Sequence, residues 1–81
     1  MGTRRIGKTY ILDKEIEAAL RGSSPVRKQN IPVRSKIKIL PSSPTSFYEF
    51  KVVDCVLKSI GRKQVYVIAR SDLDGVLQPA D

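Results

Sequence analysis

The sequence predicts a mainly β domain: a small antiparallel barrel of four or five strands, preceded by a basic arm and one short helix. Three observations predict it. Apolar residues recur with a period of two in residues 31–40, 47–58 and 65–70, and a period of two is the mark of a strand with one buried face. Turn-forming clusters rich in Ser, Pro and Gly separate these runs. Only residues 13–21 carry helix signals.

Length and composition set the bounds. The chain has 81 residues, 41% of them hydrophobic, with five aromatics and no Trp. That supports one domain with one small core, since a chain this short buries only about 60% of the surface its unfolded form exposes. A single cysteine, Cys55, rules out an internal disulfide, so an oxidising compartment is not required. No apolar run approaches the ~20 residues of a membrane-spanning helix. The basic start lacks the apolar stretch of a signal peptide, and Ile6 stands where a myristoylation signal needs Ser or Thr. The expected location is cytoplasmic.

Charge is unevenly spread. Residues 1–38 hold ten Lys and Arg against three Asp and Glu, whereas residues 39–81 hold five of each, so the first half carries the whole net charge of +7. The expected division is therefore residues 1–30, a basic N-terminal arm with a short helix and a linker, and residues 31–81, the small β-barrel domain.

Taken in order, residues 1–8 read as a flexible basic arm with two glycines. Asp13 is a suitable N-cap for a helix over residues 13–21. Glu15 and Glu17 lie near its positive end, Arg21 near its negative end, and Gly22 and Pro25 stop it. About two turns long, such a helix is stable only if Ile16 and Leu20 dock on something. Residues 8–13 resemble the opening of ribbon-helix-helix repressors, but the longer second helix of that family has no counterpart, because a Gly-Ser-Ser-Pro turn follows at residues 22–25.

Residues 31–40 (IPVRSKIKIL) place Ile31, Val33, Ile37 and Ile39 on one face and Arg34, Lys36 and Lys38 on the other. Pro32 suits a strand start or an edge. A loop follows at residues 41–46. In residues 47–58 the apolar phase switches after Val52. Either the strand is buried on both faces or a β-bulge lies near Val52 and Val53 and bends it. A hairpin loop over residues 59–64 leads to a return strand at residues 65–70, then a single turn at 71–75 and a short last strand at 76–78. This succession of strand, loop, long bent strand, hairpin, strand, turn and short strand is similar to SH3-like barrels. An OB-like barrel fits less well, because five full strands and a helix hardly fit in residues 31–81. Such likeness concerns fold and says little of function.

Catalysis has little to work with. There is no histidine, the commonest general base and metal ligand. Cys55 sits in an alternating run and reads as a small core hydrophobe. Residues 72–75 (DLDG) lack the length and the terminal glutamate of a calcium loop, and there is no phosphate-binding loop. The expectation is a non-enzymatic protein with no cofactor and no metal.

The basic residues form the one coherent candidate site: Arg4, Arg5 and Lys8 on the arm, Arg27 and Lys28 on the linker, Arg34, Lys36 and Lys38 on a strand face, and Arg62 and Lys63 at a hairpin tip. Alternate strand residues lie about 6.6–6.8 Å apart, a spacing that can follow a phosphate backbone. Tyr10, Tyr48 and Tyr66 could stack on bases, although strand tyrosines more often pack into the sheet. The leading expectation is a nucleic-acid-binding module, for DNA or RNA, with low sequence selectivity. The alternative is a small architectural subunit of a larger assembly (a ribonucleoprotein, membrane-associated complex or virus particle) whose arm packs along neighbouring subunits. In that case the strand lysines would serve only to guard a sheet edge against aggregation.

Overall fold

The alternation that marks strands in the sequence also sorts their side chains in three dimensions. The computed structural model describes residues 7–79. They form β1 (Thr9–Leu12), β2 (Ile16–Leu20), β3 (Lys28–Ile31), β4 (Lys36–Ile39), β5 (Phe47–Asp54), β6 (Tyr66–Ala69), the short helix α1 (Arg70–Asp74) and β7 (Leu77–Pro79). All pair antiparallel in one seven-stranded sheet of order β3-β2-β6-β5-β4-β1-β7. The chain is mainly β, as expected. The sheet has more strands than the four or five anticipated and is not closed, with β3 and β7 at its edges.

The extra strands come from the segment expected to be helix and linker. Residues 13–21 do not form a helix. Ile16–Leu20 is β2, hydrogen-bonded to β3 on one side and to β6 on the other. The local sequence fits both periods: Ile16 and Leu20 are four apart, but Ile16, Ala18 and Leu20 are also alternate residues. As a strand, the segment buries Ile16 and Ala18, packs Leu20 against the core and gains ladders on two flanks. A two-turn helix would have neither, so tertiary pairing overrides the helix propensity of Glu-Ala-Ala-Leu. Asp13 caps no helix; its N–H donates to the Val76 carbonyl at 2.7 Å.

The run at residues 31–40 is also not one strand. It is split between β3 and β4 by a turn at residues 32–35. Ser35 closes the turn, its hydroxyl donating to the Pro32 carbonyl at 2.7 Å. The turn is pinned to β1 by Arg34 N–H to Leu12 O and Leu12 N–H to Ser35 O, both 2.9 Å. The alternation within each half survives: Ile31, Ile37 and Ile39 are fully buried, whereas Val33, expected inside, is exposed in the turn.

Of the two readings of residues 47–58, the bulge near Val52 and Val53 is present, although it does not bring Val53 or Leu57 into the core. Lys36 pairs with Asp54 and the next residue, Ile37, with Val52, so Val53 is the extra residue. Val52 stays in the core and Val53 turns outward. β5 supplies the centre of the core with Tyr48, Phe50 and Val52. The Phe50 and Tyr66 rings stack with centroids 5.8 Å apart. α1 stands at the anticipated single turn. It buries Leu73 completely and brings the chain from β6 round to β7, which pairs with β1. Both Ser-Ser-Pro segments form turns, with Ser23 Oγ and Ser43 Oγ each donating to the carbonyl three residues earlier, Leu20 O and Leu40 O.

Candidate nucleic-acid interface

With alternate residues buried, the others must face outward. On β4 these are Lys36 and Lys38, and on β5 they are Phe47, Glu49, Lys51 and Val53, with Asp54 brought opposite Lys36 by the bulge. The hairpin register sets Lys38 directly opposite Lys51. On the other flank of β4, Lys38 faces Thr9 and Lys36 faces Ile11. Like charges on paired positions oppose folding. Among the described residues no carboxylate lies within 4 Å of the charged nitrogens of Lys36, Lys38 or Lys51, the ion pairs there being Arg21–Glu49 and Lys28–Glu17.

Arg34 extends this strip. It lines a hollow of about 370 Å³ with Ile11, Asp13 and Gln78, and Ile11 is the cross-strand neighbour of Lys36. Its backbone has φ of 71°, the left-handed region that disfavours a residue with a Cβ by about 1 kcal/mol or more. Glycine or asparagine is the unstrained choice at such a turn. Strain of this kind gathers where a side chain serves a purpose other than stability.

The structure thus brings together Arg34, Lys36 and Lys38 and adds Lys51. Lys8 is exposed just before β1, adjacent to the Thr9 that faces Lys38. The other expected residues lie elsewhere. Arg27 and Lys28 are at the β3 edge, at the far end of the sheet order, around a separate hollow with Ser59 and Gln64. Lys28 is also 3.9 Å from Glu17. Arg62 is structural: its guanidinium donates to the carbonyls of Ile60 at 3.2 Å and Cys55 at 3.0 Å, tying the two limbs of the loop together. Lys63 is exposed on that loop. Arg4 and Arg5 lie outside the described residues.

The tyrosines offer no stacking face. Tyr10, Tyr48 and Tyr66 are at most 8% exposed. The Tyr48 hydroxyl donates to Asp74 Oδ1 at 2.7 Å, while the Arg70 guanidinium covers its ring at 4.3 Å. Burial pushes the Tyr66 phenol above its ordinary value, with Cys55 adding to the rise. Cys55 is half-buried against the core, its sulfur accepting from Ser35 Oγ at 3.3 Å.

Two features escaped the sequence reading. Lys51 was visible as the polar residue between Phe50 and Val52. Only folding the 41–46 loop into a hairpin sets it opposite Lys38. The second is an apolar groove of about 680 Å³ on the same outer face, floored by Ala19, Val67 and Ala69 and walled by Phe47 and the exposed Val26. Glu49 lies at its side, 7% exposed, with Ser42 Oγ donating to Oε1 at 2.7 Å and Arg21 Nε 3.4 Å from Oε2.

No helix among the described residues is long and apolar enough to cross a membrane. Comparison of the chain with protein-family models, curated proteins and solved structures finds no match to any of them.

Proposed function

We propose that this protein is a non-enzymatic nucleic-acid-binding module that grips the phosphate backbone through Arg34, Lys36, Lys38 and Lys51, with Lys8 beside them and the N-terminal arm as a further contact. The observation that supports this best is the Lys38–Lys51 pair, two lysines in register on neighbouring strands with no carboxylate within 4 Å of either ammonium group among the described residues. The arrangement works against folding and becomes favourable once a polyanion lies across it. Its spacing is that of a backbone reader: ~4.8 Å between strands and ~6.6–6.8 Å along one. Among the described residues no aromatic ring lies beside the four basic side chains in the strand register and the single helix is one turn long, so we expect contacts to phosphate to outweigh contacts to bases and sequence selectivity to be low.

The connectivity supports an SH3-like reading of the fold. Strands β7, β1, β4, β5 and β6 are neighbours in that order, the helix joins β6 to β7, and the β2–β3 hairpin is an excursion between β1 and β4. This places the basic strip on the outer face of the meander.

Fluorescence anisotropy with random-sequence single-stranded DNA, RNA and duplex, across a salt series, tests the function. Four engaged phosphates give a log–log salt slope of about −3.5 on duplex DNA and about −3 on single strands. The double variant K38E/K51E should reduce that slope by about half. Absence of binding by the intact chain at low salt sinks the proposal. Unchanged binding by K38E/K51E, with loss on deleting residues 1–8, would move the contact to the arm.

A second reading, an architectural subunit seated against a neighbour, draws support from the apolar groove beside Glu49. Copurification from the native source that is lost in V67K, yet kept in K38E/K51E, would favour it.

A further inference from the structure

The loop between β5 and β6 holds apolar side chains out in solvent and fixes them there. Val56 is 83% exposed and Leu57 43% exposed. A loop free to collapse would bury them, but this one is braced. Ile60, three residues on, takes the inward position at 2% exposure. Arg62 clamps the limbs through the Cys55 and Ile60 carbonyls. The Leu57 N–H donates to the Cys55 sulfur at 3.4 Å, and the Ile60 N–H to the Leu57 carbonyl at 3.4 Å. Gly61 packs on the Gln64 side chain so closely that an added Cβ would lie 3.1 Å from it. The residues left projecting are Val56, Leu57 and Lys58.

The charge around this tip is mostly positive. Residues 54–64 contain Lys58, Arg62 and Lys63 against one acidic residue, Asp54, at the end of β5. Lys58 adjoins Leu57, and the Arg62–Cys55 bond draws Lys63 close to the base of the tip. An aliphatic point ringed by lysines is poorly suited to nucleic acid, which rewards flat aromatic faces. It matches the boundary of an anionic bilayer, where aliphatic groups enter between headgroups and ammonium groups meet the negative surface.

We propose that the Val56–Leu57 tip inserts into anionic lipid surfaces, with Lys58 and Lys63 held at headgroup level. The tip adjoins one end of the basic strip, since Cys55 accepts from Ser35 and Asp54 pairs with Lys36, but Val56 and Leu57 are not part of that strip and the proposal does not rest on nucleic-acid binding.

The test uses the intact chain with vesicles of phosphatidylcholine alone or mixed with phosphatidylserine. Sedimentation should show binding to the mixed vesicles, weakened at least tenfold by V56S/L57S and about fivefold by K58S. Val56 and Leu57 lie outside the core, and circular dichroism checks that the double variant remains folded. Because the chain contains no Trp, L57W gives a single fluorescent reporter; its emission should shift to the blue on adding the mixed vesicles. Failure of the intact chain to bind them overturns the proposal. So does V56S/L57S binding as tightly as the parent, or an L57W emission that does not move, either of which would mean adsorption by charge alone.

Discussion

Glu49 and Lys51 are two residues apart on one strand and point to the same side of the sheet, yet their surroundings are opposite. Glu49 is nearly buried, with Ser42 on one carboxylate oxygen and Arg21 near the other. Lys51 faces Lys38. One end of the outer face is therefore finished within the chain, polar atoms matched and small apolar residues beside them. The other end sets Lys38 opposite Lys51, with Asp54 opposite Lys36 as its cross-strand carboxylate, and has in Arg34 a strained backbone. The core beneath is continuous from Phe50 to Ile37, so the difference does not come from the scaffold. It shows where stability has been given up, and that locates the better candidate for contact with something outside the chain.

The largest expected effect comes from breaking the scaffold common to both ends. F50A should cost about 3–5 kcal/mol, by loss of burial and of its stacked partner Tyr66, a large part of what a domain of this size possesses. Reporters placed as V67W in the groove and T9W beside the strip should then lose signal in one urea transition at the same lowered midpoint. Separate midpoints would show that the strip does not belong to the same cooperative unit.

A smaller effect tests the finished end. R21A should cost about 1 kcal/mol, because the carboxylate keeps Ser42 but loses a charged neighbour that is itself half in solvent. Adding E49L should recover most of the loss, since no buried charge then remains. A double-mutant cycle by urea denaturation should give a coupling of about 1 kcal/mol; additive costs would mean that the two side chains are merely close, with no energetic weight.

Much of the body was legible from period-two patterning alone: the buried faces of β4 and β5, the presence of β6, the bulge near Val52 as one of two readings, the single turn before β7. What failed was the segment whose pattern satisfies two periods at once. Ile16, Ala18 and Leu20 read as a strand only when β3 and β6 are known to flank them, and pairing partners distant in the chain leave no local trace. Residues 31–40 failed for a related reason. Their alternation is interrupted on the apolar side only at Ser35, where Ser35 and a left-handed Arg34 turn the chain, and nothing in the residue type of an arginine announces a positive φ. The basic site was legible as a set and not as a geometry. Arg34, Lys36 and Lys38 stayed together because they are close in sequence. Lys51 joined them through register, and Arg62 left them because its guanidinium is spent on two carbonyls.

The smallest effect in energy is the most discriminating in sign. K51E should stabilise the protein by about 0.5 kcal/mol, because a repulsive cross-strand pair with Lys38 becomes an attractive one. The same substitution should weaken binding to random-sequence DNA or RNA about tenfold and lower the salt slope by about one to two, one phosphate contact being lost and a neighbouring one neutralised. Thermal or urea denaturation measured beside anisotropy reads both. A gain in stability with a loss in binding is expected of a surface selected for a partner. If K51E neither stabilises the chain nor weakens binding, the Lys38–Lys51 pair is ordinary solvated charge, and the contrast with Glu49 loses its functional meaning. High salt supplies an internal control, since the stability gain should shrink as the ammonium groups are screened.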